Sequence, residues 1–438
     1  MDTKEKYTLA DQVIEYALKK GAQQISVVIS DSRSSNIEIR DNQIDRLTES
    51  NRNRLTINLY VDKKYSSHST NRLKKEDVFK FVDEAISATR FLAEDEYRTL
   101  PDPELYYKGG GVAPDNLDEN IDNIDPKTKI DLATGVFNEA SGKDDRIISV
   151  SSFYSDSIGG YVMVTSNGFR GDSSRSSISL YATVAALTDS GRPSDYWYES
   201  AMFFDKLKKT GIGEKALERT LHKIGPKKIA SGKYTMLLEN RVVQNLLGPF
   251  FSALEGYSIQ QKQSFLEGKK EKAVAASLLS VTDDPQYIGG PDSRLFDDEG
   301  LASVKMPVVQ DGVLKNYYID TYYGKKLNMK PTTGSSSNLV FSLGTRDLEA
   351  MKKSINKGIL ITGFNGGNCN GSTGDFSYGI EGFLIENGKE VHPVNEMNIS
   401  GNMNEILFSL VELGNDTIEG SSFLAPSMMF EKIDFSGI

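Results

Sequence analysis

One cysteine and three histidines are all that the 438 residues contain of the strongest metal-binding and nucleophilic types. The single thiol, Cys369, excludes an internal disulfide and fits a reducing compartment. The histidines, His68, His222 and His392, are far apart in sequence. The pair one helical turn apart, which would set two imidazoles on one face for zinc, is absent. There is no CxxC, no GxSxG and no GxxxxGK[ST], which removes a cysteine zinc site, a hydrolase nucleophile elbow and a phosphate loop. No apolar run approaches the ~20 residues of a membrane span, and MDTKEKYTLADQVIEYALKKG lacks the apolar core of a signal peptide. The expectation is a cytoplasmic protein, in which the sequons at Asn370, Asn398 and Asn415 carry no glycan.

Positive charge is also scarce: Lys and Arg number 51 against 61 Asp and Glu, a formal net charge of -10. Such a surface repels a phosphate backbone and disfavours direct nucleic-acid binding. The pairs Lys208-Lys209, Lys227-Lys228 and Lys269-Lys270 are scattered and read as solvated faces. With 38% hydrophobic and 26% charged residues, the chain has the balance of a globular protein of two or three domains.

The pattern along the chain reads as α+β. An amphipathic helix carrying Ile14, Ala17 and Leu18 stops at Gly21. Short strands follow at ISVVIS from Ile25, NIEIR from Asn36 and RLTINLYV from Arg54, the last with clear period-two alternation. From Lys75, Val78, Phe79, Phe81, Val82, Ala85 and Ile86 recur at helical spacing, closing a first region over 1–94. Residues 95–126, with four prolines, Gly109–Gly111 and the acids Asp115, Asp118, Glu119, Asp122 and Asp125, read as a linker or irregular crossing segment. The acids lack the spacing of a calcium loop and read as solvated. A middle α+β region over 127–230 has strands near Ile147, Gly160 and Ser177. A β-rich domain over 231–438 opens with the strand Tyr234 to Leu238. A helix follows with Val242, Val243, Leu246, Leu247, Phe250, Phe251 and Leu254 on one stripe, and Gly248-Pro249 inside it predicts a kink or restart. No period of 20–50 residues recurs, which excludes a solenoid.

Two stretches hold the remaining chemistry. TDDPQYIGGPDSRLFDDEG, Thr282 to Gly300, carries Asp283, Asp284, Asp292, Asp297, Asp298 and Glu299. Paired carboxylates can move protons or hold a hard metal, but aspartates beside Pro285 and Gly300 also cap turns, which is the reading preferred. GGNCNGSTGDFS, Gly366 to Ser377, surrounds Cys369 with glycines and hydroxyls. Cys369 reads as a small packed residue, Asn370-Gly371 as a turn, and Gly374-Asp375 as the entry to a hairpin whose second turn is Asn387-Gly388.

Taken in order, SFLEGK at Ser264, DDP at Asp283, FDDEG at Phe296, DGVLKNYYIDTYYGKKL at Asp311, GNCNGSTGDFSYGIEGFLIENGK at Gly367, ISGNMNEIL at Ile399 and GND at Gly414 resemble the TldD/PmbA family. Its members carry labels such as modulator of DNA gyrase and zinc metallopeptidase. The resemblance runs from about Thr235 to the C-terminus and implies an α+β fold: N-terminal α+β regions, then a C-terminal half rich in antiparallel strands. One family branch carries a helical HExxxH-type motif and a downstream cysteine as zinc ligands. The other, PmbA or TldE, lacks them and forms the second half of a heterodimer. Here the motif helix reads NLLGPFFSALEG, Asn245 to Gly256, with Gly248, Pro249 and Ala253 in the region of the metal and base residues. The tail EGSSFLAPSMMF, Glu419 to Phe430, has no cysteine.

The resemblance therefore implies a PmbA-like chain with no catalytic residue, no metal ligand and no cofactor of its own. Zinc is expected on a TldD-like partner acting on peptides, and a homodimer when the chain is alone. No direct nucleic-acid or membrane contact is expected. Asn368, Cys369, Thr373, Gly374, Asp375 and Phe376, with Asp283, Asp284, Asp297, Asp298 and Glu299, are the candidates for a groove or interface. Two alternatives stay open: an independent hydrolase using Asp283 and Asp297, and a non-enzymatic modulator of DNA gyrase.

Overall fold

A computed structural model describes residues 1–189 and 191–437. Its N-terminal half is one six-stranded antiparallel sheet built twice from the same sequence of elements. Helix α1 (Thr3–Lys19) is followed by β1 (Gln24–Arg40), β2 (Gln43–Val61), β3 (Lys64–Thr70) and α2 (Lys75–Thr89). Then α3 (Pro126–Ala140) is followed by β4 (Ile147–Thr165), β5 (Arg170–Ala186), β6 (Ser194–Ala201) and α4 (Ile212–His222). The strand order β3-β2-β1-β4-β5-β6 mirrors about the centre, where β1 and β4 pair antiparallel from Ser26↔Thr165 to Arg40↔Ser151, centred on Arg33↔Ile158. This repeat of over 120 residues is invisible as a sequence period because the two copies share element order and patterning only.

ISVVIS and NIEIR, expected as separate strands, are the two ends of β1. The polar run between them is not a break because it pairs with β2 on one side and β4 on the other. Alternation then sorts the side chains. Ile25, Val27 and Ile29 enter a core with α1 and α2, while Ile37 and Ile39, on the same face, enter a second core with α3 and α4. Similarly, the strands expected near Ile147 and Gly160 are one strand, β4. Gly159 and Gly160 do not end it but permit close packing: a Cβ on Gly159 would lie 2.6 Å from the Asp31 carbonyl, and one on Gly160 2.3 Å from Ser174 Oγ.

The crossing segment is tightly tied down. Tyr107 and Ala302 exchange backbone bonds with Gly300 and Leu105, and Tyr106 packs with Met163, Phe169 and Phe296 on the sheet face opposite the helices. Asp118, expected as solvated acid, is buried and accepts the Asn120 and Phe204 N–H groups at 2.9 and 3.0 Å. A carboxylate satisfied by backbone donors tolerates burial that a free one does not.

The C-terminal half stacks two sheets around the largest core. Its elements are β7 (Gly232–Leu238), α5 (Asn240–Ser252), α6 (Gly256–Gln260), β8 (Val281–Asp283), β9 (Met306–Gln310), β10 (Val313–Leu314), α7 (Thr321–Leu327), β11 (Leu339–Phe341) and α8 (Leu348–Lys353). They continue with β12 (Lys357–Cys369), β13 (Asp375–Glu386), β14 (Lys389–Asn402), α9 (Met403–Ile406), β15 (Leu410–Leu413), β16 (Phe423–Leu424) and β17 (Met428–Ser436). One sheet has the order β14-β13-β12-β7-β17-β15, the other β10-β9-β8-β11-β16, and all pairs are antiparallel except β7–β12 and β11–β16. The fold class is α+β, as expected. Helix α5 runs through Gly248-Pro249 without restarting. It ends just after, with Ala253 N–H bonded to the Pro249 carbonyl, so the proline falls in the final turn.

Candidate functional site

Five of the sequence motifs, scattered from Ser264 to Leu407, meet as one hydrogen-bonded chain. Glu299 of FDDEG accepts the Thr321 N–H and hydroxyl at 2.8 Å each, at the start of α7. In the same motif as Thr321, Tyr317 takes Lys269 and Lys270 N–H bonds on its hydroxyl and donates to the Leu266 carbonyl at 2.7 Å. The adjacent Phe265 N–H bonds the Gly371 carbonyl at 2.9 Å. At the hairpin tip, Asp375 accepts from the Thr373 hydroxyl at 2.7 Å and from Asn402 Nδ2 at 2.8 Å, and Asn402 also holds the Thr373 carbonyl. The order of motifs in sequence thus reflects one packed scaffold.

The tip is a turn platform. Asn370 Oδ1 accepts the Ser372 and Thr373 N–H groups, and Gly374 turns the chain at φ +84° with its N–H on the Asn370 carbonyl. Phe376 is buried and stacks on Tyr378, while Asn368 pairs with Ser377 across the hairpin. The second turn, Asn387-Gly388, has both residues at positive φ, as that sequence favours. Thr373 and Asn402 hold the exposed Asp375 carboxyl below its ordinary range. Burial, then Asp375, raises the Cys369 thiol, which keeps it protonated and poor as a nucleophile. Half-buried Cys369 packs at the edge of the main core.

Most of the acidic stretch is likewise engaged in structure, although the buried Asp297 Oδ2 has no hydrogen-bond partner. Asp283, 2% exposed, accepts the Ser337 N–H at 3.0–3.1 Å and its hydroxyl. Asp284 accepts the Gln286 N–H and pairs with Lys305 at 2.9 Å. Asp297, 3% exposed, caps its own turn through the Glu299 and Leu301 N–H groups at 3.0 Å. Burial raises the Asp283 and Asp297 carboxyls, and pushes that of Glu299 up to about 7 against the Thr321 donors. Asp298 is exposed. Among the described residues, no hydrogen bond or ion pair joins these five directly to the six of the hairpin tip.

Helix α5 buries Val242, Val243, Leu246, Leu247 and Phe250 and leaves Gln244, Asn245, Gly248, Pro249 and Ser252 on its open side. Its start is held by the GND motif: Asp416 accepts the Ser427 N–H and hydroxyl at 3.0 and 2.7 Å, and Ser427 Oγ takes the Asn240 N–H. Zinc does not fit this helix, because Gly248, Pro249 and Ala253 carry no donor atom. Among the described residues, no group of three or more His, Cys, Asp or Glu side chains is placed to hold a metal ion. No described helix is long and apolar enough to cross a membrane.

Sequence reasoning missed Ser337, Thr321 and Asn402, the partners that commit the acids, since only the fold brings them together.

Comparison with known proteins agrees with this scaffold along the chain. Residues 231–437 match the PmbA/TldA metallopeptidase C-terminal domain, 119–224 its central domain and 25–89 its domain 1. A metalloprotease PmbA homolog of Haemophilus influenzae is 27% identical over 429 residues, covering 97% of this chain and 94% of that protein. A candidate modulator of DNA gyrase from Bacteroides thetaiotaomicron has a crystal structure 45% identical in sequence, covering 100% of both chains with a TM-score of 0.98. TldE from Thermococcus kodakarensis, at 18% identity, shares the fold with a TM-score of 0.88 over 98% of this chain and 100% of that one. The chain belongs to the PmbA/TldD metallopeptidase family.

Proposed function

We propose that this chain is the PmbA/TldE-type, non-metal subunit of a cytoplasmic zinc metallopeptidase that matures or degrades peptides. A TldD-like partner carries the zinc, the water-activating glutamate and the cut. Alone, the chain forms a homodimer through the surface the partner uses. One observation carries the reading: the family scaffold is present along the chain, yet α5, the helix that by resemblance corresponds to the HExxxH-type motif, has the donorless side chains of Gly248, Pro249 and Ala253 in that region. The spent carboxylates weigh against an independent hydrolase built on Asp283 and Asp297, since each already serves backbone donors. A gyrase-directed role, the description carried by the Bacteroides relative, would have to act through a basic protein surface, because a net charge of -10 disfavours DNA.

Elemental analysis after dialysis tests the first half: the expected result is no stoichiometric zinc, and near one zinc per chain surviving mild chelation overturns the reading. Light scattering and a peptide assay test the second. The expected results are an inactive homodimer and, with an HExxxH-bearing relative, a mixed complex that cleaves unfolded peptides and stops on chelation. Such an obligate interface buries on the order of 2,000 Å² or more. Failure of the mixed complex to form, or comparable cleavage by this chain alone, overturns the reading.

A further inference from the structure

Arg294 is the lone base in the acidic stretch from Thr282 to Gly300, and its guanidinium is under-used. Its Nη2 donates to the Ser335 carbonyl at 2.6 Å and to Thr333 Oγ1 at 3.3 Å, and its Nη1 reaches Ser335 Oγ at 3.4 Å. Its Nε is buried with no hydrogen-bond partner. Burial raises the nearby Asp283 and Asp297 carboxyls and the Arg294 charge opposes that rise, yet among the described residues it forms a direct ion pair with neither. A partly buried guanidinium with an unmade hydrogen bond and no direct ion pair is costly, and a carboxylate supplied from outside offsets part of that cost.

The same side chain lines a cavity of about 410 Å³ at the junction of the crossing segment, β9 and the loop before β11. Leu105, Leu301, Val304, Met306 and Pro307 make an apolar wall, and two exposed cations join Arg294: Lys330, and Lys305, which pairs with Asp284. The volume lies at the low end for ligand sites, which run from roughly 300 to 1,000 Å³. Asp283 also lines the cavity. A carboxylate so placed disfavours a doubly charged phosphate, whereas a singly charged group facing Arg294 is tolerated.

From the unpaired guanidinium, the apolar wall and the volume, we infer that this cavity binds the α-carboxylate of an aliphatic residue, with Arg294 on the carboxylate and the side chain against Leu301 and Val304. The source is a peptide C-terminus or a free amino acid. The lining residues come from this chain, whichever partner carries the cut.

Calorimetric titration of the full chain tests this with acetyl-leucyl-leucine, its C-terminal amide, free leucine and inorganic phosphate. The acid is expected to bind saturably at millimolar concentrations or below, and the amide at least tenfold more weakly. Leucine matching the acid supports the proposal with an amino acid as the source; leucine binding more weakly supports it with a peptide terminus. Arg294→Gln is expected to weaken the acid at least tenfold. Because Arg294 also holds the 333–335 loop, Val304→Trp, at a rim residue 66% exposed, blocks the cavity without touching the guanidinium and is expected to do the same. Arg175→Gln, in the neighbouring cavity that Arg294 also lines, is expected to change nothing. No saturable binding, equal affinity for acid and amide, tighter binding of phosphate, or unchanged affinity in Val304→Trp overturns the assignment.

Discussion

Glu299 links the chemistry of a single carboxyl to the stability of the chain. The unfolded chain releases this proton near pH 4.5 and the folded one near 7, because burial outweighs the two Thr321 donors. Between those values the folded state binds more protons than the unfolded one, so this group makes stability fall as pH rises through that window and level off above it. Glu299→Gln keeps an oxygen for Thr321 and removes the titration. Denaturant unfolding from pH 4.5 to 8 should therefore show the variant gaining on the parent by up to about 2–3 kcal/mol at the alkaline end; parallel pH profiles would refute the shift. Cys369 has the opposite consequence for reactivity. Its raised thiol should react with a disulfide reagent at pH 7.5 several-fold more slowly than an unstructured cysteine, and a faster reaction would contradict its packing.

Among the elements, the β12–β13 hairpin depends on one backbone conformation. Gly374 sits at φ +84°, and a Cβ there would meet Asn402 Oδ1 and Asn404 Nδ2 at 3.1 Å and the Phe265 ring at 3.2 Å. A β-branched residue is strained by the dihedral and crowded by three motif partners. Gly374→Val should cost roughly 1–3 kcal/mol and lower the melting temperature; an unchanged melting temperature would rule out the strain. The need for a turn at Asn370–Gly374 and at Asn387-Gly388 is legible in the residues themselves, since glycine and asparagine mark positive φ. That ISVVIS and NIEIR form one strand is not legible, because the polar run between them becomes strand only when β2 and β4 supply hydrogen-bond partners on both edges.

At the scale of the molecule, the N-terminal double repeat and the C-terminal sheets are joined by an ion network. Arg219 on α4 binds Glu239 through two bonds at 2.8 and 3.1 Å and Asp195 at 3.2 Å, while Lys223 bridges Asp195 to Glu381 of β13. His222 stacks on Phe383 beside them, ring centroids 4.1 Å apart. Arg219→Ala leaves two largely buried carboxylates without their shared cation. It should cost about 3 kcal/mol and separate the unfolding of the two halves in denaturant; a single transition at the parent midpoint would mean that the halves hold together by other contacts.

By itself, the amino-acid order determined the α+β class, the turns that need glycine or asparagine, and the family, because several motifs fall in one order from Ser264 to Asp416. It also determined that α5 carries no metal donor at Gly248, Pro249 and Ala253, since that depends on side-chain chemistry alone. The tertiary structure decided what required partners distant in sequence. It committed Asp283 to Ser337, Glu299 to Thr321 and Asp118 to the Phe204 N–H, merged four short strands into β1 and β4, and left Arg294 lining a cavity with no direct ion pair. A carboxylate's role follows from which donors reach it and how much water remains, and neither quantity is local to the chain.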